Sequence, residues 1–409
     1  MNSFWKSVSS VLGGTAIAQI IPIAATFLIT RIYNPEMFGE FSTWLAFVSI
    51  LSIVFSLRLE ASLVIIKEDS ARNKAVLYIF STAIILCLCS TGVIYLIKDS
   101  PSVQKLLSDN SLLLILIPIG SLSIILNQIW QTWAASIGEY NKLIVMRISQ
   151  SLITVLFQIG IGFIIAESFS LVLAFLIASF LSFIIAFIIM PNILNTSLFN
   201  YFEFKQYIVR YKNFLIYGLP ADTLNTTTSQ LPIILISYRF GPEIAGYLSL
   251  TMRVLSKPVS LLGNAILDVF KKHAAEQLHT IGNCKKLYIN TFIVLFLASI
   301  VYSIATVFLA KPIFAFAFGP EWEFSGVIAI WLLPMFALGF IASPLSYIAY
   351  LVEKQHYDLI WQIALFIMML TTLLLFNDYK ISIISYAIGY AFLYCIYIAL
   401  SYHLSKNQQ

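Results

Sequence analysis

The chain has 409 residues, of which 60% are hydrophobic and 11% charged, and it carries a net charge of +5. Its mean hydropathy is +0.90. A water-soluble globule of this balance would lack a polar surface, so the composition excludes a soluble enzyme or binding module and indicates a chain solvated by lipid. A charge of +5 divided between two membrane faces calls for no nucleic-acid partner.

Twelve apolar stretches are long enough to cross a hydrocarbon layer of roughly 30 Å, which takes about 20 helical residues. They are 11–30, 41–66, 75–97, 111–137, 143–166, 169–190, 214–238, 246–267, 287–310, 326–350, 358–376 and 381–402. Their Ile, Leu, Phe and Ala run continuously rather than alternating, which predicts helices that satisfy their own backbone and not barrel strands. The expected fold class is all-α and polytopic. The first stretch follows a short polar leader, Met1 to Ser10, without a small-residue cleavage pattern, so it is read as retained, with the mature N-terminus expected at Met1.

Between the first two stretches lies Arg31-Ile-Tyr-Asn-Pro35-Glu36-Met-Phe-Gly39, and it returns half a chain later as Arg239-Phe-Gly-Pro242-Glu243-Ile-Ala-Gly246. A second echo pairs Pro118 and Leu143 with Pro334 and Leu359 at a constant offset. Together they indicate an internal duplication. The expected organisation is a six-helix bundle over 1–190, an interfacial amphipathic linker over 191–213 and a second six-helix bundle over 214–409. Because six is even, both halves enter the membrane in the same sense. The pseudo-symmetry axis then runs along the membrane normal, and a central cavity between the halves is the natural pathway.

Orientation follows from Lys and Arg, which translocated loops lack. With the N-terminus inside, fifteen fall on the cytoplasmic side, six on the other side and three within the stretches. Both termini are therefore expected in the cytoplasm.

Ionisable groups in hydrocarbon cost about 2.5–3.5 kcal/mol on insertion scales, so the few that remain are candidate site residues. Arg58 and Glu60 lie in the second stretch, with Arg58 nine residues before Lys67. On a continuous helix that is about 13 Å from its end, and Glu60 would point to the opposite face, too far round for the two to neutralise each other. The functional reading places Arg58 on an anionic head group; the alternative is a pair of helix-locking ion pairs. The seventh stretch holds Pro220-Ala-Asp222-Thr223-Leu-Asn225-Thr226-Thr227-Thr228-Ser229-Gln230-Leu-Pro232, in which eight of thirteen side chains can hydrogen-bond. An irregular, water-facing helix is expected, with Asn225, Thr226, Thr227 and Gln230 suited to a polyhydroxylated ligand; polar packing between helices is the alternative. Arg253 and Lys257 in the eighth stretch are one helical turn apart on one face, and Pro258 follows. Two stacked like charges suit an anion between them; otherwise one snorkels and the other pairs with Asp222. Glu60 and Asp222 are candidate acids for coupling to H⁺ or Na⁺.

The four cysteines and four histidines are scattered, so no metal site is read, and no cofactor is expected. Nor is there a Gly-rich phosphate loop, a nucleophile elbow or a long external loop for catalysis, and the chain is read as not an enzyme.

Gly13-Gly14-Thr15-Ala-Ile-Ala-Gln19, the Arg31–Gly39 segment and Arg58-Leu-Glu60-Ala resemble the opening of the polysaccharide biosynthesis (O-antigen) flippases of the multidrug/oligosaccharidyl-lipid/polysaccharide (MOP) exporter superfamily. The run from Gly246 through Arg253 to Pro258, with Val269-Phe270, Phe318-Gly319-Pro-Glu321-Trp322 and Ser343-Pro344-Leu-Ser346, resembles the second half of that family. The resemblance implies two bundles, alternating access and a cationic cavity that moves a polyprenyl-diphosphate-linked oligosaccharide, the polyprenyl being undecaprenyl, across the bacterial inner membrane. Arg58, Arg253 and Lys257 are then the expected diphosphate contacts, and a polysaccharide polymerase, chain-length proteins and membrane lipids the expected partners. The competing readings are a small-molecule exporter on the same fold and an O-antigen polymerase.

Overall fold

A computed structural model of the chain describes residues 20–101, 111–190 and 199–406. The start of the first apolar stretch with its Gly13–Gln19 motif, the first part of the 191–213 linker, Lys6 and Lys105 lie outside these residues. The helices are α1 (Ile20–Ile32), α2 (Pro35–Ser56), α3 (Asp69–Ile97), α4 (Ser111–Ser136), α5 (Tyr140–Gly162), α6 (Ser168–Ile189), α7 (Tyr201–Arg210), α8 (Leu219–Phe240), α9 (Pro242–Ile281), α10 (Lys285–Phe318), α11 (Glu323–Leu345), α12 (Ile348–Leu351), α13 (His356–Leu375) and α14 (Tyr379–Leu404). Among the described residues there is no strand, as the continuous apolar runs predict.

Nine segments among the described residues are helical, long and apolar enough to cross a membrane: α2 to α6, α10, the α11–α12 stretch, α13 and α14. The described part of α1 is shorter. Helices α8 and α9 are long enough but too polar, because α8 carries the Asp222–Gln230 run and α9 carries Arg253, Lys257 and a charged far end.

The echoed sequence marks the same local event twice. Before α2, the Asn34 Oδ1 accepts a hydrogen bond from the Met37 N–H at 2.9 Å, and Pro35 occupies the first turn, where no N–H is needed. Before α9, Gly241 takes φ 95° and Pro242 again opens the helix. Phe-Gly-Pro-Glu recurs at 318–321, where Gly319 takes φ 112°; a side chain is disfavoured at both glycines.

Helix pairing repeats as well. In the first half α3 packs on α4, α4 on α6 and α5 on α6; in the second, α10 packs on α11, α11 on α14 and α13 on α14. Two compact units result, Met1–Ala245 and Gly246–Gln409. Their division falls later than the 191–213 linker because α8 packs along α2 within the first unit.

Two expectations about local regularity are corrected. The stretch 41–66 is not one helix: α2 ends at Ser56, Leu57 and Arg58 take φ 50° and 59°, and a 3₁₀ turn follows over Leu59–Val64. The break survives because side chains serve the backbone groups it frees. The Ser56 hydroxyl accepts from the Arg58 N–H at 3.0 Å, and the buried Arg72 guanidinium donates to the carbonyls of Leu63 and Ile66 at 3.2 and 2.6 Å. In the seventh stretch the irregularity precedes the polar run instead of filling it. A wide π turn covers Phe214–Gly218, after which α8 is regular with Pro220 in its first turn and Pro232 inside.

Close helix packing in the second unit depends on Gly326 of α11. A Cβ there would sit 2.7 Å from the Lys311 Cα and 2.8 Å from the Ala310 carbonyl oxygen of α10, and neither backbone atom can swing aside. Gly326→Ala should therefore lower stability by about 1–3 kcal/mol. Gly263→Ala on α9, where a Cβ meets nothing within 4 Å, should not; thermal unfolding of the two variants in detergent compares them.

Candidate functional site

In the first unit the broken second stretch, α4 and the start of α8 bring charged groups together. The Arg58 Nη1 lies 3.2 Å from the Glu60 Oε1, and its Nε pairs with the Asp222 carboxylate. Arg58 and Asp222 are about one-third exposed (37% and 32%), whereas Glu60 is 3% exposed. Gln128 of α4 adds a donor to the same Glu60 Oε1 at 3.4 Å. The other oxygen, Oε2, is buried and makes no hydrogen bond among the described residues. Gly218 ends the π turn where a Cβ would come within 3.1 Å of the Arg58 Cγ, so its bare backbone gives the arginine room.

The expectation that Arg58 and Glu60 could not neutralise each other is thus overturned. Opposite faces follow from 100° per residue, and the left-handed Arg58 followed by a 3₁₀ turn does not obey that rotation. The Asp222 carboxylate is engaged by Arg58. With one cation between two acids, the Arg58 charge is compensated here.

The polar line extends along α4 to a residue set that sequence reasoning missed. Gln131, three residues after Gln128, accepts from the Arg147 Nε at 3.2 Å and donates to the Gln150 Oε1 at 3.1 Å, both on α5. The readable signal was two glutamines three apart in an apolar run, with Arg147 inside the 143–166 stretch and not at its end.

On α8, Asn225 is exposed and Thr226, Thr227 and Gln230 are half-buried. Their neighbours Thr228 and Ser229 turn back onto the helix, donating to the Leu224 and Thr226 carbonyls at 2.8 Å each. Arg253 and Lys257 lie one turn apart on α9 in the second unit, both half-buried. Among the described residues no cluster of His, Cys, Asp and Glu could hold a metal ion, and the four cysteines are free.

The model of the polysaccharide biosynthesis protein family matches residues 28–326. The chain belongs to that family. The fold is shared with lipid II flippase MurJ in an inward closed conformation, at TM-score 0.73 and 16% identity over 96% of this chain and 87% of that one. It is shared also with an outward-facing multidrug resistance MATE family transporter of the MOP superfamily, at TM-score 0.58 and 13% identity over 98% and 93%. The MATE multidrug transporter DinF-BH aligns at TM-score 0.62 and 15% identity over 97% and 94%. No curated protein matches by sequence.

For this polysaccharide biosynthesis protein, as a multi-pass membrane chain, the buried Glu60 makes the Arg58 cluster testable. Arg58→Ala leaves Glu60 in the interior without its cation, a loss on the scale of a broken buried pair, about 3 kcal/mol. Arg58→Ala combined with Glu60→Gln should recover much of it, since the stranded charge is gone. Thermal unfolding of wild type, both single variants and the double variant measures the coupling, and strictly additive effects would refute it.

Proposed function

We propose that this protein is a flippase that moves an undecaprenyl-diphosphate-linked oligosaccharide repeat unit, of O-antigen or capsule type, across the bacterial inner membrane by alternating access. The family match over 28–326 supports a role in polysaccharide biosynthesis, and the structural neighbours supply the transporter fold. The observation that carries the substrate class is the pair Arg253 and Lys257, held one turn apart on a helix within a lipid-solvated chain. Two cations about 6 Å apart along the axis match the reach of an extended anion, and a diphosphate has the charge and length to contact both.

The α8 residues Asn225, Thr226, Thr227 and Gln230 offer hydroxyls and amides to a saccharide. Among the described residues none of the four spends its side chain on a hydrogen bond. Arg58 takes a different part from Arg253 and Lys257: already matched by two carboxylates, it acts as a charge lock and not as a resident phosphate ligand. The buried Glu60 Oε2 is the natural place for a coupling proton or Na⁺. A proton there removes the carboxylate charge and loosens its hold on Arg58. A small-molecule exporter for organic cations fits less well, because the acids that would take the drug are occupied by Arg58. Both termini in the cytoplasm, and contacts with a polymerase and chain-length proteins, belong to the same reading.

Arg253→Ala and Lys257→Ala should each reduce surface polysaccharide about tenfold or more in a strain relying on this protein, the scale of one lost charge-assisted hydrogen bond, while membrane insertion stays normal. Normal polysaccharide in both variants would overturn the role of the cationic pair.

A further inference from the structure

On the other side of the 3₁₀ turn's Tyr207 contact, α7 lies against the start of α3 and leaves an open cavity of about 1030 Å³. Its wall is fixed. The Lys74 ammonium pairs with the Glu203 carboxylate at 2.8 Å, the Tyr78 hydroxyl donates to the same carboxylate at 3.2 Å, and the Tyr207 hydroxyl meets the Ser62 hydroxyl at 2.7 Å. The hydrogen bond from Lys74 holds the Glu203 carboxyl below its usual range, so that acid stays ionised and committed to its lysine.

Two further cations line the cavity without such a commitment. Lys67 and Arg210 are exposed, and among the described residues neither is in an ion pair; Arg210 leans on the Tyr211 ring at 5.6 Å. Glu68, the remaining acid in the wall, leaves the site net positive. Beside these charges stand exposed apolar side chains on the turn, Ile65 in the cavity wall and Val64 next to it in the chain. A soluble anion would leave those side chains in water. A ligand that is anionic at one end and apolar at the other covers both.

We propose that this cavity is a headgroup site for an anionic glycerophospholipid, its phosphate held by Lys67 and Arg210 and its acyl chains lying over Val64 and Ile65. The existence of this site does not rest on the flippase reading. Because Tyr207 also reaches the Leu59 carbonyl at 3.4 Å, an occupied headgroup site bears on the turn that carries Glu60.

Native mass spectrometry of the full chain, purified in detergent and titrated with dioleoyl phosphatidylglycerol or dioleoyl phosphatidylcholine, tests this. The expected result is preferential retention of phosphatidylglycerol, weakened about fivefold by each of Lys67→Gln and Arg210→Gln and restored by Lys67→Arg with Arg210→Lys. Equal retention of the two lipids, or unchanged phosphatidylglycerol binding in the double Gln variant, would overturn the site. A third arm uses geranylgeranyl diphosphate as competitor. If it displaces phosphatidylglycerol at substoichiometric amounts, the phospholipid is not the resident ligand and the proposal falls. If it does not compete, the proposal stands.

Discussion

An ionised side chain in a lipid-solvated bundle has to be matched locally, and in the first unit that requirement is met at Arg58. Glu60 alone could not be kept charged at 3% exposure, and Arg58, one-third exposed between Glu60 and Asp222, supplies its counter-ion. Their pairing demands that residues two apart in sequence face each other, which an α-helix forbids. The left-handed Leu57 and Arg58 and the 3₁₀ turn after them meet that geometric demand. Arg72, Tyr207 and Ser56 then hold the freed backbone, and Asp222 draws the start of α8 to the same point.

The duplication works at a different level, in packing. Both halves use the same order of neighbours, α3–α4–α6–α5 and α10–α11–α14–α13, and both open their second long helix with Pro-Glu after a corner. The charged groups do not follow the repeat. The first half has its arginine matched by carboxylates within the unit, while the second places Arg253 and Lys257 together on one helix face. Equivalent scaffolds thus carry different charged groups.

Much of this was legible in the chain itself. The continuous apolar runs gave the helices, and the echoed Pro-Glu-x-x-Gly gave the corners, because a helix start after a tight turn is a local event that local residues decide. The break at Leu57 was not legible. Residues 41–66 read as one apolar run, and only tertiary partners far along the chain, Tyr207 and Asp222, make the corner worthwhile. The same cause hid the Arg58–Glu60 contact, since its geometry was argued from a helix that is absent there. Gln128 and Gln131 were overlooked because an amide carries no formal charge and stands out less than an arginine in an apolar stretch. That α8 belongs to the first compact unit was likewise invisible, since nothing in 214–240 alone tells which bundle it will pack against.

The corner itself has an energetic consequence. Left-handed backbone at two residues bearing side chains costs about 1–2 kcal/mol each, and it is tolerated while the guanidinium is anchored. Once that anchor separates, Leu57 and Arg58 can relax to right-handed values and recover this energy. Rupture is then easier than it would be for the same ions on an unstrained helix, and the segment is biased to straighten afterwards instead of snapping back.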